Sequence, residues 1–294
     1  MAATTRVGVF IDGANVAMNG GYGMRFDVLR EHACRDGGRA VRLNAYVSFD
    51  PERAERDDVY RRGQGAFQSS LRDVGYKVVR KRVQWYTDET GHRYGKANVD
   101  LDMAVDLLLQ SDRLDRVLLL TGDGDFARVV AALQNRGCRV ELVAFNNVSQ
   151  ALRREADLFM SGFLIPNLVP VAGPRDQPPW GELGSRVRGV CYNHSGKGYG
   201  FLRFLRKVSP GLWITDTRHP ESPYTSVFFH DSQLPDTVGF QQLPSRDLIF
   251  EFELREGDNG GSWQAVDLQL VSGGRTVGQL RSEPEEAVPG DQDS

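Results

Sequence analysis

Residues 117 to 126 read V-L-L-L-T-G-D-G-D-F: four apolar residues suited to a buried strand run straight into Thr121, Gly122, Asp123, Gly124 and Asp125. A second apolar run, R-V-G-V-F-I-D, ends in Asp12 and continues as Gly13, Ala14 and Asn15. A third segment, K-A-N-V-D-L-D-M-A-V-D, carries Lys96, Asp100, Asp102 and Asp106. Carboxylates brought to one point repel, so they stay together only around a cation or by taking up protons. A ligand set made wholly of oxygen selects Mg2+ or Mn2+, and such an ion can activate a water for phosphodiester cleavage.

Whether the acids meet depends on the elements that carry them. Residues 6–12, 40–47, 76–83, 116–121 and 138–145 read as strands. Helical spacing fills gaps between them: over 56–74 through Val59, Phe67, Leu71 and Val74, over 99–109, and over 125–136 through Phe126, Val129, Val130 and Leu133 before Gly137. Strand and helix in repetition predict an α/β domain with a mostly parallel sheet. Ligands of such sheets sit outside the carboxyl ends of the strands, which gathers Asp12, Asn15, Asp100 and Asp123 at one crevice. Asp125 either joins them or caps the helix that begins at Phe126, and Asp102 and Asp106 read as solvated helix surface. Two other chemistries fit less well. An aspartyl-nucleophile phosphatase would carry D-x-D where this chain has D-G-A-N, and no G-x-G-x-x-G follows the first strand to cradle a dinucleotide.

From Pro166 the texture changes. Pro and Gly are dense over 166–185, which marks a linker. Residues 186–272 hold short alternating strands with Gly-rich turns and predict a small all-β barrel, and 273–294 reads as a disordered acidic tail. The first domain then spans 5–165.

F-I-D-G-A-N-V, K-A-N-V-D-L-D-M-A-V-D and L-T-G-D-G-D-F, in that order, resemble the NYN domain, the LabA-like branch of the PIN-like nuclease superfamily. The resemblance implies a metal-dependent ribonuclease whose catalytic and metal-binding acids fall on Asp12, Asp100, Asp123 and Asp125, with the motif Asn on Asn15. Family members commonly have Lys-Gly before the acidic helix, where this chain has Lys96-Ala97.

Lys77, Arg80, Lys81, Arg82, Arg93 and Lys96 cluster beside Trp85 and Tyr86, a composition that suits a single strand as well as it suits a charged edge strand. In the second domain, K-G-Y-G-F-L and S-V-F-F-H place Tyr199 with Phe201, and Phe228 with His230, on shared strand faces, while Val227 and Phe229 point to the core. Rings side by side on an open face form a platform for stacked bases. These stretches resemble the two nucleic-acid-binding motifs of the cold-shock domain, an OB-fold barrel that binds single-stranded RNA or DNA. The resemblance implies binding through Tyr192, Lys197, Tyr199, Phe201, Phe228 and His230. It departs at Cys191, which replaces a stacking Trp, at Asp231, which replaces an aromatic residue, and in an insertion near 205–225.

Charge nearly cancels, with Lys+Arg 36 against Asp+Glu 39, so any nucleic-acid footprint is local. Three cysteines, Cys34, Cys138 and Cys191, show no C-x-x-C spacing and exclude a disulfide framework or thiolate zinc site. No stretch has the length of a membrane span, and the N-terminus has no secretory pattern, so the expectation is a cytoplasmic protein. The partner expected is single-stranded RNA, with single-stranded DNA and a homodimer left open. A catalytically inactive RNA-binding regulator is the rival reading.

Overall fold

The computed structural model describes residues 4–174, 176–257 and 262–273, without the side chain of Lys96. The expected acidic tail, from residue 274 on, and the Lys96 side chain therefore lie outside the described residues.

The first half is a six-stranded sheet: β1 (Arg6–Asp12), β2 (Arg39–Phe49), β3 (Lys77–Arg82), then, after a separate hairpin of β4 (Gln84–Thr87) and β5 (Arg93–Lys96), β6 (Arg116–Leu120), β7 (Arg139–Ala144) and β8 (Leu158–Ser161). Its order is β3-β2-β1-β6-β7-β8, and every pairing is parallel. The chain builds outward from β1 in one direction, then restarts at β6 on β1's other side. The gap between β1 and β6 is thus the switch point at which parallel sheets leave a crevice. The expected strands are present. Two elements were not expected: the four-residue β8 and the β4–β5 hairpin are too short to show a period.

Helices α1 (Gly13–Met18), α2 (Phe26–Ala33), α3 (Pro51–Arg56), α4 (Asp58–Asp73), α5 (Val99–Gln110), α6 (Ala127–Asn135) and α7 (Gln150–Glu155) connect these strands. Strands β1 and β6 are buried on both faces, which explains their unbroken apolar runs. Val9 and Ile11 enter one core cluster, Phe10 the other, as period-two alternation requires.

The second half is a closed five-stranded barrel of β9 (Arg186–His194), β10 (Tyr199–Leu205), β11 (Tyr224–His230), β12 (Ile249–Glu256) and β13 (Trp263–Ser272), in the order β10-β11-β13-β12-β9. Phe204, Phe229, Phe250 and Phe252 fill its interior.

The barrel is not loosely strung from the sheet domain. Val190, Leu205, Leu212 and Ile249 join the core cluster that contains Val9, Phe163 and Leu168. The Pro- and Gly-rich connection carries Leu168 and Val169 into that core, both buried. Polar contacts reinforce the joint. Glu251, 3% exposed, accepts from Arg186 at 3.1 Å, from Arg188 at 2.9 Å and from the Ala172 backbone N–H at 2.8 Å. Arg188 also donates to the carbonyls of Val169 and Pro170. Ser272 donates to Asn146 at 2.7 Å, and Arg153 pairs with Asp247 at 2.6 Å. The connection is a packed strap.

Candidate functional site

The crevice is built from Asp12 outward. As β1 ends, Asp12 caps α1: one carboxylate oxygen accepts the Asn15 N–H at 3.0 Å, and the other accepts the Thr121 hydroxyl at 3.1 Å. The same hydroxyl accepts the Asp123 N–H at 3.2 Å, so one buried threonine links the acids that end β1 and follow β6. Asn15 completes the tie, its side-chain oxygen accepting the Gly122 N–H at 2.8 Å. Thr121 and the 147–149 loop are positioning elements that sequence reasoning missed. Nothing in T-G-D-G-D told which way the threonine faced. The loop sits so close that a Cβ on Gly124 would lie 2.8 Å from the Ser149 hydroxyl, and one on Gly122 would lie 3.0 Å from the Asn147 carbonyl.

The helix-cap role considered for Asp125 belongs to Asp123. Its carboxylate accepts the Asp125 N–H at 3.0 Å and caps the 3-10 turn Gly124–Phe126, leaving Asp125 exposed at the rim.

Asp100, in the first turn of α5, lies within electrostatic reach of this group. Burial pushes the Asp12 carboxyl above its ordinary 3.8, with the Asp123 charge adding to the shift. Burial raises Asp100 also, followed by the charges of Asp12, Asp123 and Asp125. Four acids from three segments therefore feel one another. They do not form a closed cage: among the described residues no three acidic, His or Cys side chains are grouped tightly enough to enclose an ion alone. An open, oxygen-only set fits a hard cation that uses few carboxylates and keeps its waters. None of the four acids lines the cavity of ≈ 880 Å³ behind α1.

The other acids of α5 have different duties. Asp102 pairs with Lys81 at 2.7 Å, and Asp106 accepts the hydroxyl of buried Tyr46 at 2.7 Å. The expectation that both are solvated surface is corrected, because each anchors α5 to a strand beneath it. Two members of the basic cluster are likewise engaged, Lys81 by Asp102 and Arg93 by Glu52 at 2.7 Å and by the Trp85 ring at 4.7 Å. Arg80 lies over Phe49 at 4.7 Å, and Arg82 is exposed at the end of the edge strand β3.

On the barrel, β10 and β11 pair Tyr199 with His230 and Phe201 with Phe228. The rings of Tyr199 and Phe228 stack at 5.8 Å, with Phe201 edge-on to Phe228 at 6.0 Å. Val227 and Phe229 are buried, and His230 is exposed, donating or accepting at Ser232 over 2.8 Å. Tyr192 joins this face through a 2.8 Å hydrogen bond with Ser226, and Lys197 is exposed on the preceding turn. Cys191 does not belong to this face. Beside a register shift in the β9–β10 pairing it pairs with Leu202 and lies fully buried in the barrel core. Asp231 is held in a hydrogen bond with the His194 ring at 2.8 Å.

Among the described residues no helix is long and apolar enough to cross a membrane. The low amplitude and bright protein LabA of Synechococcus elongatus is 27% identical over 164 residues, spanning 53% of this chain and 83% of that protein. A crystal structure of a Vibrio parahaemolyticus protein of unknown function is 23% identical, covers 55% of this chain and 94% of its own, and superposes with a TM-score of 0.42. The family description of the NYN domain matches residues 6–165, more than half of the chain and the whole acidic crevice, and the protein belongs to the NYN domain family.

Proposed function

We propose that the protein is a metal-dependent ribonuclease acting on single-stranded RNA, with the barrel as a cold-shock-like OB module that holds the substrate. The observation that carries this reading is the convergence of Asp12, Asp100, Asp123 and Asp125 at the β1–β6 switch point, where burial and mutual repulsion raise Asp12 and Asp100.

Asp12, Asp100 and Asp123, with Asp125 at the rim, would hold magnesium or manganese, which activates water and offsets charge developing on the cleaved phosphate. The chain's own groups do the positioning. Thr121 fixes the spacing of Asp12 and Asp123. The Asn15 amide uses its oxygen on Gly122, which leaves its NH2 to donate to a phosphate oxygen. Tight contacts at Gly122 and Gly124 keep the crevice floor free of side chains. Arg80, Arg82 and Lys96 would contact phosphates from this domain.

The deciding assay incubates full-length protein with labelled single-stranded RNA and DNA in manganese, magnesium or chelator. Cleavage of RNA in metal and none in chelator is expected. Binding without cleavage under every metal would instead establish the non-catalytic RNA-binding regulator.

A readout independent of turnover follows from the raised acids. A carboxyl whose folded value lies above 3.8 contributes stability below that pH and loses it as pH rises through the raised value. At neutral pH the ionised cluster therefore opposes folding, and a bound cation relieves it. Saturating manganese at pH 7 is expected to raise Tm by about 5 °C or more, a gain that shrinks as pH falls toward 4. An unchanged Tm rejects a cation in the crevice.

The platform is tested apart from the crevice. Tyr199→Ala with Phe228→Ala is expected to weaken RNA binding by about 1–3 kcal/mol for each base that loses its stack. Equal affinity in a titration of the folded variant rejects stacking on these rings.

A further inference from the structure

We infer that the two halves form one continuous single-strand path, from the aromatic platform across Arg203 and Arg246 to the acidic crevice. The inference rests on the reading that the barrel holds single-stranded RNA, and adds the route and the residues that pave it.

The route can be followed contact by contact. Tyr199 stacks on Phe228, and two residues before it on the same strand face, Ser226 bonds the Tyr192 hydroxyl at 2.8 Å. Next to Tyr192, the Cys191 carbonyl accepts the Ser245 N–H at 3.0 Å, which sets Arg246 and Asp247 beside the platform's edge. Asp247 reaches Arg153 of α7 at 2.6 Å. One helical turn back, about 6 Å, Ser149 closes on Gly124, between Asp123 and Asp125, and its N–H bonds the Gly122 carbonyl at 2.9 Å. Platform and crevice thus lie at the two ends of a single run of touching residues.

Its middle is positively charged. The Arg203 guanidinium lies 5.7 Å from the Tyr192 ring centre and 5.2 Å from that of Tyr224, and it donates to the Thr215 carbonyl of the insertion at 2.9 Å. Arg218 of the insertion is paired with Asp216 at 2.8 Å, whereas Arg246 is exposed and has no carboxylate partner among the described residues. Its neighbour Asp247 is neutralised by Arg153. Aromatic faces followed by the Arg203 guanidinium and the unpaired Arg246 suit bases followed by phosphates. Because the strap and Glu251 hold the joint, the two ends keep a fixed separation.

The test measures affinity of full-length protein, in chelator, for single-stranded RNA oligonucleotides of increasing length. Affinity should rise once the strand outgrows the platform. Arg246→Glu is expected to weaken binding of the long oligonucleotides about 5- to 10-fold and to lower the salt slope by about one, with the short ones unchanged and Arg246→Lys close to wild type. Long oligonucleotides bound by Arg246→Glu as tightly as by wild type, with the same salt slope, overturn the path while the platform stands. If even short oligonucleotides fail to bind wild type, the barrel reading fails and the path with it.

Discussion

Asp12→Asn is expected to reduce RNA cleavage by about 100-fold or more, some 3 kcal/mol of transition-state stabilisation, while the protein stays folded. Asn caps a helix about as well as Asp, so the bond from the Asn15 N–H survives. The Thr121 hydroxyl can rotate to accept from the new amide, which keeps the link to Asp123. What disappears is a negative charge, and burial already penalises that charge in the folded state. Tm at pH 7 should therefore hold or rise as activity falls. That divergence separates loss of chemistry from loss of structure. A folded Asp12→Asn protein cutting within a few-fold of wild type would remove Asp12 from the catalytic group.

Glu251→Gln is expected to cost about 3–5 kcal/mol of stability, because it leaves Arg186 and Arg188 without their shared buried carboxylate. Burial already lowers the Arg188 pKa, and the Glu251 charge is what opposes that shift. Arg188 in turn holds the carbonyls of Val169 and Pro170, so the same substitution loosens the strap. Denaturant unfolding measures the first effect. The second is read as a long oligonucleotide losing its advantage over a short one, since the platform rings are elsewhere on the barrel. A loss below about 1 kcal/mol would mean that the apolar joint, not the ion cluster, fixes the two halves.

The longer strands of both halves were legible because burial on both faces writes continuous apolar runs, and burial on one face writes alternation. The acids were legible for a related reason. In a parallel sheet, position after a strand is position at the crevice, so Asp12 and Asp123 could be brought together from their place in the chain alone. Side-chain direction beyond a strand end was not legible. Asp102 and Asp106 looked like solvated acids until Lys81 and Tyr46 arrived from distant strands. Nor does the sequence show that Cys191, beside a register shift, is buried in the barrel core.

The sequence by itself determined the two folded units, the family of the first, and the candidate acids, because each is written in local period and order. Only the tertiary structure decided how the units sit together. F-E-F-E gives no sign that Glu251, on the outer face of the barrel, is buried against two arginines and the strap, and a Pro- and Gly-rich segment gives no sign that Leu168 and Val169 are buried. Those facts arise from contacts between residues far apart in the chain, and no local pattern records a partner that only folding supplies.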